Sequence, residues 1–93
     1  MFVELCEIHL FIPGISSLKE KRRVINSLRD RLRGRFNVSV SEVEHQDLWQ
    51  RATLGIALVG GSASWVRDAM DRVLQEIDRD IRVEVIEFHR ELV

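Results

Sequence analysis

The sequence is poor in cysteine and has no long apolar run. Its one cysteine, Cys6, cannot form a disulfide within the chain, and its place in an apolar segment predicts a buried, unreactive thiol rather than a nucleophile. No stretch reaches the ~18 apolar residues that a membrane helix needs. The first residues also lack the basic segment of a secretion signal. We therefore expect a cytoplasmic protein that does not span a membrane.

Histidines are few, and their spacing is not that of a metal site. His9, His45 and His89 lie far apart in the sequence, and none is at i, i+4 spacing from another histidine or from Cys6. His45 has carboxylates near it in the segment 42–47, which we interpret as a polar loop that caps a strand rather than as a proton-transfer pair. The sequence thus predicts no metal and no cofactor.

Charge is plentiful but unevenly distributed. The 93 residues are 45% hydrophobic and 31% charged, with a net charge of −1, which is typical of one globular domain spanning residues 1–93. Residues 17–35 alone carry eight bases and two acids, for a local charge of +6. The basic charge is therefore concentrated in one segment of an otherwise acidic chain.

Alternation and helical spacing of the apolar residues predict six elements. Strands are expected at 2–12, 36–43, 52–59 and 81–88, with helices at 17–34 and from about 62 to 80. Ser17 is the predicted N-cap of the first helix, with Glu20 reaching back in a capping box, and Gly34 is its predicted C-cap. A phase slip between Val85 and Ile86 predicts a bulge in the last strand.

The element order βαββαβ predicts the fold. Right-handed crossovers place both helices on one face of a four-stranded antiparallel sheet, with the first and third strands at its centre. This is an α+β, ferredoxin-like split βαβ sandwich. Its predicted core comprises Cys6, Ile8, Leu10, Leu28, Leu32, Val38, Val40, Leu54, Ile56, Leu58, Val66, Met70, Val73 and Ile77.

Four sequence blocks resemble a known family. They are 12–14 (IPG), 17–22 (SLKEKR), 35–40 (RFNVSV) and 47–52 (DLWQRA). In these blocks the sequence resembles the YlxP-like family of short bacterial proteins, whose function is not established. The resemblance covers essentially the whole chain. It implies a ferredoxin-like fold and genes placed beside those for translation initiation and ribosome maturation, and it implies no catalytic residues.

The loop motifs do not match two enzyme classes that the size and element order would allow. Acylphosphatases share this size and element order, but they hold a phosphate with an arginine in the loop after the first strand, and the loop 13–16 (PGIS) contains none. The segment 60–62 (GGS) precedes the second helix but lacks the lysine of a P-loop, and we interpret it as a turn. We expect no enzymatic activity.

The first helix carries most of the basic residues. The candidate nucleic-acid-binding residues are Lys19, Lys21, Arg22, Arg23, Arg29 and Arg33. Cations at helical spacing can meet successive phosphates, so the pattern predicts binding of structured RNA or of a ribonucleoprotein such as the ribosome. Two alternatives remain open for this helix: an adaptor that binds an acidic protein, and an ordinary solvated face.

The other face of the sheet carries small and apolar residues. RNA-recognition motifs have this topology but stack bases on exposed aromatics of the central strands, whereas the third strand here offers Thr53, Gly55 and Ala57 and the first offers Glu7 and His9. The predicted interface of a homodimer or higher oligomer comprises Val3, Leu5, Phe11, Gly55 and Ala57. A small-ligand regulatory domain with a pocket between subunits is a further alternative.

Overall fold

Six helices and strands follow one another in the predicted order. The computed structural model describes all residues, Met1–Val93. The elements are β1 (Phe2–Phe11), α1 (Leu18–Arg35), β2 (Ser39–Glu44), β3 (Arg51–Gly60), α2 (Ala63–Asp78) and β4 (Glu84–Leu92). The strands form one antiparallel sheet in the order β2-β3-β1-β4, which confirms the predicted α+β layout with β1 and β3 at the centre.

One face of the sheet packs against both helices. Alternate residues of β1 and β3 point into this layer, where Ile8 pairs across the strands with Leu54 and Cys6 pairs with Ile56. The predicted core is confirmed except at Val38, which is only half-buried because the chain there precedes β2. Burial of many apolar side chains in one layer is the main source of stability for a domain of this size.

Cys6 lies inside this layer, as expected. It is a free cysteine and is almost completely buried. Burial raises the pKa of its thiol to about 11, since the charged thiolate loses its hydration there. The neutral thiol therefore serves as a small apolar side chain rather than as a nucleophile.

Both helix starts use a serine cap. Ser17 accepts a hydrogen bond from the backbone N–H of Glu20 at 3.1 Å, and Ser62 accepts one from Trp65 at the same distance. The predicted capping box differs in one respect, because the carboxylate of Glu20 accepts from the backbone N–H of Ser16 at 2.9 Å. Side chain and backbone thus fix the start of α1 through two consecutive serines.

Three element boundaries differ from the prediction. The helix α1 continues through Gly34 to Arg35 and Phe36 is its C-cap, so β2 begins only at Ser39. The strand β4 begins at Glu84 instead of residue 81, because residues 80–83 form a turn that leaves Ile81 exposed. The predicted bulge in β4 is confirmed, since the β1–β4 register shifts where Ile86 has no partner.

Candidate nucleic-acid interface and the open face of the sheet

Five cations lie along one side of α1, which we call the basic ridge, and four of them are exposed while Arg29 is half-buried: Lys19, Arg22, Arg23, Arg29 and Arg33. Four of them make no ion pair, and the fifth, Arg29, has only a 3.8 Å contact with its neighbour Asp30. The guanidinium of Arg33 donates a hydrogen bond of 2.8 Å to the carbonyl of Val40 and so reaches the edge strand β2. The charge of the ridge is thus hardly neutralised by carboxylates of the same chain.

The arginines on the opposite flank of α1 are neutralised by acidic residues of the same chain. Arg31 contacts Glu76 at 3.3 Å and Asp80 at 3.0 Å, and Arg35 contacts Glu76 at 3.0 Å. Both acids belong to α2 or to the turn after it, and both are buried. These arginines therefore join α1 to α2, and only the ridge side of the helix carries unneutralised charge.

Lys21, which the sequence predicts as a nucleic-acid-binding residue, is buried and does not lie on the basic ridge. Its side chain is 0% exposed, its Nζ lies 2.6 Å from a carboxylate oxygen of Glu42, and it donates a 2.6 Å hydrogen bond to the carbonyl of His45. A phosphate cannot reach an ammonium group enclosed in this way. The helical spacing does indicate that Lys21 is buried. Lys21 precedes the buried Ile25 and Leu28 by four and seven residues, so all three lie on the same side of α1.

A second buried network fixes the turn between α2 and β4. The carboxylate of Asp80 accepts hydrogen bonds from the backbone N–H and the guanidinium of Arg82 at 2.7–2.9 Å, and from Arg31 at 3.0 Å. The hydrogen bonds from Arg82, with a smaller contribution from Arg31, hold the pKa of Asp80 well below its usual range, although burial opposes them. This carboxylate therefore stays ionised and links α1 to the turn between α2 and β4.

The face of the sheet away from the helices is open and partly apolar. A groove of about 840 Å³ crosses it, and Leu5, Gly55 and Ala57 are among the residues that line the groove. Val3 and Phe11 lie on the same face, paired across the strands with Val59 and Arg51. The five residues predicted as an oligomer interface thus share one surface. No large aromatic side chain stands beside Gly55 and Ala57 on β3.

The three histidines, which are far apart in the sequence, converge on this same face. The ring centroid of His9 lies 6.3 Å from that of His45 and 6.1 Å from that of His89. The hydroxyl of the buried Thr53 lies 3.1 Å from Nδ1 of His9 and 2.9 Å from Nδ1 of His45. Sequence spacing could not show this, because it results from the pairing of β1 with β3 and β4 and of β2 with β3.

Neither helix combines the length and the apolar character that crossing a membrane requires.

The architecture defines the class of protein as an α+β sandwich whose sheet has one covered face and one open face, flanked by a basic helix. The chain belongs to the family described as "Protein of unknown function (DUF503)", whose model matches residues 3–90. It is also 44% identical over 73 residues to "Uncharacterized protein YlxP" of Bacillus subtilis (strain 168), covering 78% of this chain and 77% of that protein. The resemblance to the YlxP-like family is thereby confirmed.

Proposed function

We propose that this protein binds structured RNA or a ribonucleoprotein in the cytoplasm through the basic ridge, as a binding protein without catalytic activity. The observation that carries the proposal is the division of α1 into two flanks. Arg31 and Arg35 are neutralised by buried acids of the same chain, whereas the ridge has no close carboxylate partner apart from the long Arg29–Asp30 contact. Retained, unneutralised charge of one sign favours an anionic ligand.

The dimensions of the ridge suit a nucleic-acid backbone. From Lys19 to Arg33 the helix rises about 20 Å, at ~1.5 Å per residue, which is long enough to meet several phosphates. Four of the five cations are arginines, whose planar guanidinium groups can bind phosphate oxygens in pairs or stack on unpaired bases. A row of cations contacts the phosphate backbone of the RNA and recognises its shape rather than its base edges, so we expect weak sequence specificity.

Charge reversal tests this proposal. The double variant Arg22→Glu, Arg29→Glu should lose binding to a structured ribosomal RNA fragment at low salt, because it removes two ridge cations and adds two repulsive anions. The matched control is Arg67→Glu, Arg72→Glu on the exposed side of α2, which changes the net charge equally. We expect the control to retain most of the affinity.

Two results would contradict the proposal. One is equal loss in the ridge and control variants, which would show that only net charge matters. The other is absence of wild-type RNA binding at low salt, and capture of an acidic protein that depends on Arg22 and Arg29 would then favour the adaptor alternative. A gel-shift or fluorescence-anisotropy titration separates these outcomes.

We propose in addition that the open face of the sheet binds a second copy of the chain. Leu5, Val43 and Val59 are large apolar residues exposed on this face around Gly55 and Ala57. The side chain of Val43 already covers Gly55, since its Cγ1 lies 3.0 Å from where a Cβ would stand there. A two-fold partner would cover the apolar area on both chains at once. Self-association would also place two basic ridges in one assembly.

A further inference from the structure

Histidine and glutamate alternate on the open sides of β1 and β4. In the antiparallel register Glu7 lies opposite His89, and His9 lies opposite Glu87. Each imidazole therefore has one carboxylate opposite it on the neighbouring strand and another on its own strand. Along the same strand, His9 Nε2 lies 3.5 Å from the carboxylate of Glu7, and His89 Nε2 lies 4.0 Å from that of Glu87. The register shift follows directly after His9, at a kind of irregularity that often redirects side chains beside functional sites.

We propose that His9, His89 and Glu87 bind a divalent transition-metal ion. One donor atom of each residue lies within 4.8 Å of the donor atoms of the other two. A tetrahedral ion with bonds of about 2.0–2.1 Å needs its ligands roughly 3.3 Å apart, so small rotations would complete the site. The side chains of His89 and Glu87 are 68% and 58% exposed, which leaves them free to make those rotations.

The third ligand, His9, is held in place. Its ring is largely buried, and its Nδ1 lies 3.1 Å from the hydroxyl of Thr53, which is itself 2.9 Å from Nδ1 of His45. The hydroxyl has one proton, so it can accept from Nδ1–H of His9 while it donates to His45. That arrangement leaves the Nε2 lone pair of His9 directed toward the carboxylate side of the cluster. A bound cation there would relieve the repulsion between this lone pair and Glu7.

The donor set indicates which ions would bind. Two imidazoles and one carboxylate suit Zn²⁺ and related first-row ions, whereas Mg²⁺ and Ca²⁺ prefer oxygen ligands alone. The carboxylates of Glu7 and Glu87 together match the charge of a divalent ion. Three protein ligands leave a fourth position for water or for another ligand, and in the single chain the exposure of His89 and Glu87 makes that position accessible.

Zn²⁺ titration of the full chain by calorimetry tests the site, with Co²⁺ absorption as a spectroscopic readout of tetrahedral coordination. We expect one ion per chain. His89→Ala and Glu87→Gln should each weaken binding by more than the ~10–100-fold typical of an outer-shell partner, and both should remove the tetrahedral Co²⁺ spectrum. Both residues are exposed, so the variants should fold, which circular dichroism can verify.

Glu91→Gln is the matched control for Glu87→Gln, because Glu91 is an exposed carboxylate on the same strand and lies outside the cluster of donor atoms. It should leave the affinity within about threefold of wild type. Thr53→Val should weaken binding by about 10–100-fold through loss of the hydrogen bond to His9, and Thr53→Ser should restore it. Wild-type affinity in His89→Ala or Glu87→Gln, or an equal loss in Glu91→Gln, would overturn the assignment. Metal binding is independent of the basic ridge, so this test and the RNA test can fail separately.

Discussion

The ammonium group of Lys21 lies on the buried side of α1, although Arg22 beside it faces solvent. Local charge pattern suggested a basic helix with Lys21 at its flank, because the sequence alone does not show that Glu42 and the carbonyl of His45 come within reach. A lysine is rarely fully buried unless it is paired, and here the partners are Glu42 on β2 and the carbonyl of His45 directly after that strand. Lys21 therefore holds the end of β2 against the first turn of α1.

Replacement of this buried cation should reduce stability without removing an RNA contact. In Lys21→Met the carboxylate of Glu42 loses its partner, so we expect the free energy of unfolding to fall by about 2–3 kcal/mol, below the ~3–5 kcal/mol of a wholly buried pair because Glu42 keeps some exposure. Urea denaturation at neutral pH measures this.

Arg22→Met is the matched control for that measurement. Arg22 is exposed and unpaired, so its replacement should change stability by less than about 0.5 kcal/mol and should weaken RNA binding more than Lys21→Met does. A Lys21→Met variant that is as stable as wild type but no longer binds RNA would indicate that Lys21 contacts RNA and would contradict this role.

At the scale of the elements, periodicity predicted the identity and order of every helix and strand. It did so because strand and helix patterns agree on one apolar layer, from Cys6 on β1 to Ile77 on α2. It misplaced the start of β4 because Ile81 is apolar and continues the pattern. The structure exposes Ile81, since the carboxylate of Asp80 holds the turn by accepting from Arg82.

The turn network predicts a specific acid dependence. The pKa of Asp80 is lowered in the folded protein, so its contribution to stability is present above the unfolded pKa of 3.8 and is lost as pH falls through lower values toward the folded pKa. Asp80→Asn should therefore cost about 1–3 kcal/mol at neutral pH, and this cost should shrink steadily below about pH 4.

Asp78→Asn provides the control for this acid dependence. Asp78 is exposed near the end of α2 and makes no ion pair, so its replacement should change stability little at any pH. Denaturant unfolding at a series of pH values compares the two variants with wild type. A difference between wild type and Asp80→Asn that does not vary with pH would contradict the role assigned to the ionised carboxylate.

At the scale of the whole molecule, the apolar positions of the open face could be predicted from the sequence, whereas its histidine cluster could not. The apolar positions Leu5 and Ala57 followed from alternation along single strands. The histidine cluster did not, because His9 and His89 are brought together by β1–β4 pairing between opposite ends of the chain. Contacts across a sheet depend on register, and a one-residue slip would have put either histidine on the covered face.

Self-association through this face should be sensitive to a single large charge. Ala57→Arg places a guanidinium in the groove, where it would be desolvated by a second copy, so the variant should be monomeric while its secondary structure is kept. Light scattering at high micromolar concentration gives the mass. Gln75→Arg, on the exposed side of α2, adds the same charge elsewhere and should leave the wild-type mass unchanged. A wild-type mass equal to one chain would refute self-association.

The salt dependence of RNA affinity tests the central claim most directly, because it counts the phosphates that the basic ridge neutralises. With three to five contacts, the slope of log affinity against log salt should be about −2 to −3.5, at ~0.7 per single-strand phosphate. The slope for Arg22→Glu, Arg29→Glu should move toward zero, while that for Arg67→Glu, Arg72→Glu should stay near wild type. A wild-type slope near zero, or one that the ridge variant leaves unchanged, would contradict RNA binding through α1.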